Sequence, residues 1–171
     1  MITKKIQDAI NSQINAELWS AYLYLSMSSY AESIGLKGVA NWFYVQWLEE
    51  QDHARILEEY LYSQDARMLL KPIEAVPVEW KGAVEMFKDA LDHEKKVTAM
   101  IHNLALLSRQ EGDFATFNRI QWFVDEQVEE EENVRDILAD LELTGDSDYG
   151  MYAFDKELCK REYSVASPLK G

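Results

Sequence analysis

The stretch "WLEEQDHARIL", residues 47–57, decides the fold because it places an acid and an imidazole inside an apolar helical pattern. Trp47, Ile56 and Leu57 indicate a helix that packs against apolar neighbours. Glu50 and His53 stand three residues apart in that helix and therefore share one face. Ionisable groups on a buried helix face need compensating partners, which the rest of the chain must supply or bind.

The composition favours one folded unit that binds cations. The chain has 171 residues, 47% of them hydrophobic, with seven Gly and three Pro, so we expect a single domain over residues 1–171. Lys and Arg number 17 against 31 Asp and Glu, which gives a net charge of −14. This balance argues against nucleic acid and anionic membranes as partners and favours metal cations.

The chain has the features expected of a cytoplasmic protein. No apolar run approaches the roughly 20 residues that span a bilayer, and "MITKKIQDAI" at the N-terminus has no signal-peptide core. The one cysteine, Cys159, can form neither an internal disulfide nor a Cys-x-x-Cys metal site.

Sparse Gly and Pro residues divide the chain into long helical runs without strand patterning, which predicts an all-α fold. The predicted helices cover residues 4–34, 38–65, 82–110, 114–143 and 147–160. The short links "GLKG" and "QEGDF" force two antiparallel hairpins, with Asp113 as a helix N-cap. The stretch between the hairpins, "ARMLLKPIEAVPVEW", is long enough to run the length of a bundle. A four-helix bundle with one long crossover and a short fifth helix results.

Each of the first four predicted helices carries an apolar stripe that polar residues interrupt near its middle. The interruptions are Glu17 in the first helix, Glu50 with His53 in the second, Glu94 in the third and Gln127 with Glu130 in the fourth. Because each helical residue rises about 1.5 Å, counting from the helix ends places all of them at one level of the bundle.

This polar level indicates a metal site. Burying several carboxylates without counter-charge costs several kcal/mol per ion, against about 5–15 kcal/mol of net stability for a domain. No Lys or Arg occupies a stripe position, so a metal ion must supply the charge. Carboxylates with one imidazole suit Fe(II), Mn(II) or Zn(II), and the arrangement matches the di-iron carboxylate bundles.

Five segments carry a resemblance to a known family: "INAELWSAYLYLSMSSY" (14–30), "GLKGVANWFYVQWLEEQDHA" (35–54), "HEKKVTAMIHNL" (93–104), "GDFATFNRIQWFVDEQVEEE" (112–131) and "DKEL" (155–158). Over nearly its whole length the chain resembles the prokaryotic non-haem ferritins. The resemblance implies that Glu17, Glu50 and His53 hold a first iron. Glu50, Glu94 and Glu130 would hold a second, with Glu50 bridging the two.

The resemblance also implies accessory residues. Gln127 would stand beside the iron pair, and a third, weaker iron position would use Glu49, Glu126 and Glu129 together with Glu130. Three of these acids follow i, i+3, i+4 spacing, where like charges repel and a cation relieves the repulsion. A solvated acidic face is the alternative for this cluster. Tyr24 and Trp122 would supply electrons, with aromatic core packing as their alternative.

The expected function is iron storage and detoxification. A ferroxidase of this kind would oxidise Fe(II) to Fe(III) with O₂ or H₂O₂ and store ferric oxyhydroxide inside a homo-oligomeric cage of 24 subunits. Haem is not expected, because Gln51 follows Glu50 where the haem-binding sister family has a methionine. A small di-iron oxidase or peroxidase without storage remains an alternative, as does a helical scaffold without chemistry.

Residues off the metal stripe give three further expectations. His93 and His102 should face solvent. Trp19, Trp42, Trp47 and Trp80 should be exposed at subunit interfaces or cap the bundle ends. The polar tail "SVASPLKG", residues 164–171, should be mobile.

Overall fold

The computed structural model describes residues 2–145 and 147–170, which form five α-helices and a short 3₁₀ helix. The α-helices are α1 (Lys4–Ser33), α2 (Lys37–Ser63), α3 (Ala83–Gln110), α4 (Phe114–Thr144) and α5 (Asp148–Leu158), and the 3₁₀ helix is Ser167–Leu169. The described residues contain no strand. The all-α prediction is therefore confirmed, with every predicted helix end within about two residues of the observed one.

Three of the five α-helices have a side-chain N-cap. The side chains of Thr3, Asp113 and Ser147 each accept a hydrogen bond from the backbone N–H three residues further on, at 3.3, 3.0 and 3.0 Å. Each bond satisfies a donor that has no partner within the helix. The cap predicted at Asp113 is confirmed.

The crossover, residues 64–82, runs along α1 between the two hairpins. At one end, the Leu69 N–H donates to Asn11 Oδ1 at 2.5 Å. At the other end, the Tyr30 hydroxyl donates to the Trp80 carbonyl. The crossover thus returns the chain to the C-terminal end of α1, where α2 also begins, so α3 lies parallel to α2.

Two apolar cores fill the bundle, one on each side of a polar layer. The first core packs residues from the N-terminal half of α1 and the matching parts of the other helices, among them Ile10, Leu57, Ile101, Ile120 and Phe123. The second core packs Tyr24, Phe43, Phe87, Val134 and Leu141. Between these cores, α1 to α4 each present polar side chains, as the interrupted stripes predict.

Helix α5 packs against the start of α2. The buried Asp155 carboxylate accepts the N–H groups of Gly38 at 2.8 Å and Val39 at 3.0 Å. No side chain of the preceding residues caps α2, so Asp155 replaces a local N-cap. A Cβ at Gly38 would lie 1.6 Å from the Asp155 carbonyl oxygen, so only glycine permits this approach.

The prediction of exposed tryptophans is wrong for Trp42 and Trp80, which are 4% and 5% exposed. Trp42 packs edge-on against Phe43 and Phe87, with ring centroids 5.1 Å apart in both pairs. Trp80 packs against Tyr30 at 5.5 Å. The crossover and the C-terminal segment cover positions that four bare helices would leave open.

The C-terminal tail contacts α2 and α4 at several residues. The Tyr163 hydroxyl and the Ala166 N–H both donate to Asp52 on α2, at 2.8 and 2.9 Å. Trp122 Nε1 on α4 donates to Ser167 Oγ at 3.1 Å. Gly171 lies outside the described residues. These contacts hold Ala166 and Ser167 against α2 and α4, within the tail that the sequence predicts to be mobile.

None of the described helices combines the length and apolar character that crossing a membrane requires.

Candidate metal centre

Five ionisable side chains from four helices meet in the polar layer. Their exposed fractions are 1% for Glu17, 2% for Glu50 and His53, 0% for Glu94 and 4% for Glu130. Each lies near the middle of its helix, with apolar core on both sides. The stripes thus bring together the side chains that the sequence analysis expected to share a level.

The first group of ligands consists of Glu17, Glu50 and His53, whose candidate ligand atoms all lie within 4.8 Å of one another. Gln13 Nε2 donates to Glu17 Oε1 at 2.8 Å. The second oxygens of Glu17 and Glu50 are buried without a hydrogen-bond partner. His53 Nδ1 lies 3.6 Å from Glu50 Oε2, too far for a hydrogen bond. Buried carboxylate oxygens without donors fit a bound cation.

Glu94 enters the layer from α3 with both oxygens hydrogen-bonded. The Tyr24 hydroxyl donates to Oε1, and Gln127 Nε2 donates to Oε2 at 3.0 Å. Glu94 therefore belongs to neither close group of candidate ligands found among the described residues.

Glu130 belongs to a second close group with His53 and Glu126. Its Oε2 accepts from Gln46 Nε2 at 2.8 Å. His53 Nε2 lies 3.7 Å from Glu126 Oε1. The imidazole thus presents one nitrogen to each of the two groups.

The electrostatics of the carboxyl groups also favour a cation. Burial, followed by the negative charge of Glu130, raises the pKa of Glu94 to about 8. Burial likewise raises the pKa of Glu50 and of Glu130 above the ordinary value. Buried carboxyls that resist ionisation indicate a site whose charge is balanced when a metal binds.

The pKa of His53 is raised, whereas burial by itself would lower the pKa of a histidine. Burial by itself lowers the pKa of His53, but the nearby carboxylates of Glu126, Glu50 and Glu17 outweigh it. The net result is a pKa well above the ordinary value. Protons and metal ions therefore compete for this residue.

The residues expected at a third metal position are only partly together. Glu126 is half-buried beside His53 and Glu130, whereas Glu129 is exposed and outside both close groups. Glu49 Oε2 instead accepts from Arg161 Nη2 at 2.5 Å. Burial raises the pKa of Glu49 to about 7, although the positive charge of Arg161 opposes the shift.

Two aromatic residues named from the sequence adjoin the layer. Tyr24 is fully buried, stacks on Phe43 at 5.9 Å and donates to Glu94. The Trp122 ring lies 5.6 Å from the His53 ring. Both aromatics therefore contact candidate metal ligands directly.

His93 is half-buried rather than solvent-facing, which corrects the expectation for this residue, whereas His102 is exposed as expected. His93 Nε2 lies 2.7 Å from Ser20 Oγ, and its ring packs against Trp19 at 5.1 Å and Tyr24 at 6.0 Å. Burial, followed by the charge of Lys96, lowers the pKa of His93 to about 4. Residues of α1 and of the crossover therefore cover part of the His93 ring.

Sequence reasoning missed three supporting residues. Gln13 and Gln46 precede Glu17 and Glu50 by one helical turn, so their spacing was a usable signal. Arg161 gave no such signal, because it lies beyond α5 and reaches α2 only in the folded chain.

The comparison with protein families matches this arrangement. A family model described as the ferritin-like domain matches residues 7–144. A bacterial non-heme ferritin of Staphylococcus aureus is 33% identical over 163 residues, covering 95% of this chain and 98% of that protein. A bacterial non-heme ferritin of Staphylococcus epidermidis is 34% identical over 164 residues, covering 96% and 99%.

Solved structures show the same architecture. A ferritin of Archaeoglobus fulgidus, engineered into a closed form, superposes with a TM-score of 0.94 at 45% identity, covering 96% of this chain and 100% of that one. An open-pore ferritin of the same archaeon gives 0.93 at 46% identity, with 95% and 100% coverage.

Proposed function

The chain belongs to the ferritin family, and we propose that it stores iron after oxidising Fe(II) at the buried polar layer. Iron is the substrate and cargo of this reaction. The observation that carries the proposal is the set of buried carboxylates and one imidazole from four helices, including two oxygens without hydrogen-bond donors. A scaffold protein gains nothing from this arrangement, which is costly unless a cation binds.

Two iron positions follow from the donor atoms. Glu17, Glu50 and His53 provide a carboxylate-rich position with one imidazole, supported by their mutual approach. Glu50, Glu94 and Glu130 provide the second position, with Glu50 shared. Each oxygen of Glu94 accepts one hydrogen bond, from Tyr24 or from Gln127, and keeps a second lone pair for a metal ion.

The paired positions suit a two-electron reaction. Each Fe(II) loses one electron, so two ions reduce one O₂ to H₂O₂ with two protons, or one H₂O₂ to two waters with two protons. The buried layer keeps bulk water from the reacting ions. Tyr24, hydrogen-bonded to Glu94, is placed to supply a further electron, and Trp122 beside His53 is a second donor.

The two positions differ in ligand type, and this difference favours turnover. The second has only oxygen ligands, so it should bind Fe(II) more weakly than the first. Oxidised iron then leaves toward storage by way of Glu126, which is half-buried beside His53 and Glu130. Equal affinities at both positions in an anaerobic Fe(II) titration would contradict this assignment.

Storage requires an enclosed space, so the proposal includes assembly into a closed cage of 24 copies. Large apolar side chains are exposed on the single chain, among them Leu70 at 67%, Val78 at 69% and Phe114 at 69%. Apolar surface of this kind is typical of protein interfaces.

Size-exclusion chromatography with light scattering, after adding excess Fe(II) in air, tests the proposal. Iron absorbance should travel with a particle of about two dozen subunits and far exceed two ions per chain. A matched Glu50→Ala variant, which lacks the bridging ligand, should assemble but oxidise iron slowly.

A small oligomer that oxidises Fe(II) rapidly yet retains only about two ions per chain would overturn storage and favour a di-iron oxidase or peroxidase. Absence of both oxidation and retention would leave a helical scaffold.

A further inference from the structure

Arg161 links the C-terminal segment to α2 at the edge of the polar layer. Its guanidinium donates to Gln46 Oε1, to Glu49 Oε2 at 2.5 Å and to the Trp42 carbonyl at 3.2 Å. The guanidinium carbon also lies 4.6 Å above the Trp42 ring. One side chain thus binds two polar side chains and an aromatic face at once, which the planar fork of arginine permits.

Gln46 extends this contact to a metal ligand. It is fully buried, and its Nε2 donates to Glu130 Oε2 at 2.8 Å while its Oε1 accepts from Arg161. An amide has one accepting end and one donating end. Because Arg161 can only donate, it fixes the accepting end outward and the donating end toward Glu130.

The same guanidinium also pairs with Glu49, an acid expected at the third iron position. The side chains of Arg161 and Glu49 are 22% and 24% exposed, so water shields the pair only partly. A metal ion that takes Glu49 as a ligand competes with this cation for the carboxylate. Among the described residues, no Lys or Arg side chain forms an ion pair with Glu126 or Glu130, which lie close to His53 instead.

The backbone around Arg161 is fixed on both sides. Asn41 Nδ2 on α2 donates to the carbonyls of Leu158 at 3.1 Å and Arg161 at 3.0 Å. Beyond it, Asp52 accepts from the Tyr163 hydroxyl and from a later N–H of the tail. These hydrogen bonds hold the backbone on both sides of Arg161, so its guanidinium has a defined position on α2.

We propose that Arg161 is a positioning residue, which acts through Gln46 to hold Glu130 for the second iron and which competes with the third iron for Glu49. The inference rests on the proposed function and adds to it a contact from the C-terminal segment. Under this proposal, Arg161 strengthens Fe(II) binding at the second position and weakens it at the third.

Anaerobic calorimetric titration of the assembled protein with Fe(II), followed by titration with Co(II) and its absorption spectrum, tests the proposal. Arg161→Gln should weaken the second position by about tenfold, as loss of an outer-shell partner does, and tighten the third. Gln46→Met should weaken the second position alone. Glu49→Gln should abolish the third position and leave the second unchanged.

Two further variants separate positioning from simple charge. Arg161→Lys keeps a cation beside Glu49 but loses the planar fork, so the third position should stay weak and the second should be only partly restored. Arg55→Gln removes an equal charge from the exposed face of α2, where Arg55 pairs with Glu59 at 3.0 Å, and should change neither position.

The outcomes are distinct. The inference would be overturned if folded Arg161→Gln bound Fe(II) at both positions with affinities within about twofold of the wild-type values. The proposed function would then remain intact. A wild-type protein that binds no Fe(II) would overturn both. Helix α5 is held by Asp155, so Arg161→Gln should fold. If thermal unfolding shows that Arg161→Gln does not fold, the Gln46→Met variant decides. Unchanged Fe(II) affinity at its second position would overturn the inference.

Discussion

Glu94 shows, for one side chain, why the polar layer needs a cation. It is fully buried, and burial followed by the charge of Glu130 raises its pKa to about 8. Hydrogen bonds from Tyr24 and Gln127 favour the ionised form, yet they do not restore an ordinary pKa. A bound positive ion would favour the ionised form at neutral pH.

Replacing Glu94 with Gln should stabilise the metal-free protein and abolish metal binding at the second position. At pH 7 the folded, metal-free protein must keep Glu94 protonated, whereas the unfolded chain ionises it. Glutamine of similar volume removes this cost, so we expect a gain of roughly 1–4 kcal/mol. Thermal unfolding in the presence of a chelator measures this change. Glu142→Gln, an exposed change on the same bundle, should leave stability within about 0.5 kcal/mol. Loss of stability in the Glu94 variant would contradict the assignment.

The stability of the metal-free protein should fall as the pH rises from about 4.5 to 8. Below this window Glu94 is protonated in both states, so it contributes no pH dependence. Within it, the unfolded chain releases the proton near pH 4.5 while the folded chain keeps it until about pH 8. The unfolded state then binds fewer protons, so rising pH favours unfolding. The raised pKa of His53 acts in the same direction.

Thermal unfolding at several pH values, with and without metal, measures this effect. Metal binding requires ionised carboxylates, so the stabilisation by added metal should grow across the same window. Stability of the metal-free protein that rises with pH would contradict the raised pKa of the layer. The Glu94→Gln variant should show a shallower dependence.

At the scale of helices, α5 and α2 depend on each other through one close contact. Asp155 caps α2 with its carboxylate, and its own carbonyl occupies the space where a side chain at Gly38 would lie. The negative carboxylate also suits the positive N-terminal end of α2. Docking α5 therefore completes the start of a helix that carries Glu50 and His53.

Substituting Gly38 with Ala should displace α5 and destabilise the protein by about 1–3 kcal/mol, because the new Cβ overlaps backbone. Gly112→Ala is a matched control. A Cβ at Gly112 has no neighbour within 4 Å, so only the strain of its φ of +69° remains, about 1–2 kcal/mol. Hydrogen exchange distinguishes the two variants, because only Gly38→Ala should expose residues 148–158. Equal protection of α5 in both would refute the contact.

For the whole molecule, the polar layer joins all four long helices between two apolar cores. Each core by itself is an ordinary helical packing. The layer between them concentrates like charge, so the residues proposed to bind iron lower the stability of the metal-free bundle. Metal binding should therefore stabilise the entire bundle rather than one helix.

Added Zn(II), which cannot be oxidised, should raise the thermal midpoint of the protein, and a chelator should reverse the rise. At a free concentration 100 times the dissociation constant, one site contributes about 2.7 kcal/mol. Calorimetric unfolding of the assembled protein measures the change. Glu17→Gln should lose much of it, whereas Glu142→Gln should keep it. An unchanged thermal midpoint after addition of Zn(II) would contradict a cation site in the layer.

The sequence by itself determined the helices, their order and the level at which their polar residues meet. Helical periodicity is a local property, so interrupted stripes identified Glu17, Glu50, His53, Glu94 and Glu130 before any contact was known. The lengths of the links similarly determined which helices are antiparallel. The proposed metal centre was predictable because its ligands lie on regular helices.

Only the tertiary structure decided what surrounds that centre. Arg161 reaches Gln46 across 115 positions of sequence, and Asp155 reaches Gly38 across 117. The burial of Trp42 and the partners of His93 also depend on segments that cover the bundle. No periodic pattern records such contacts, because they arise from how irregular segments pack onto helices whose positions are already set.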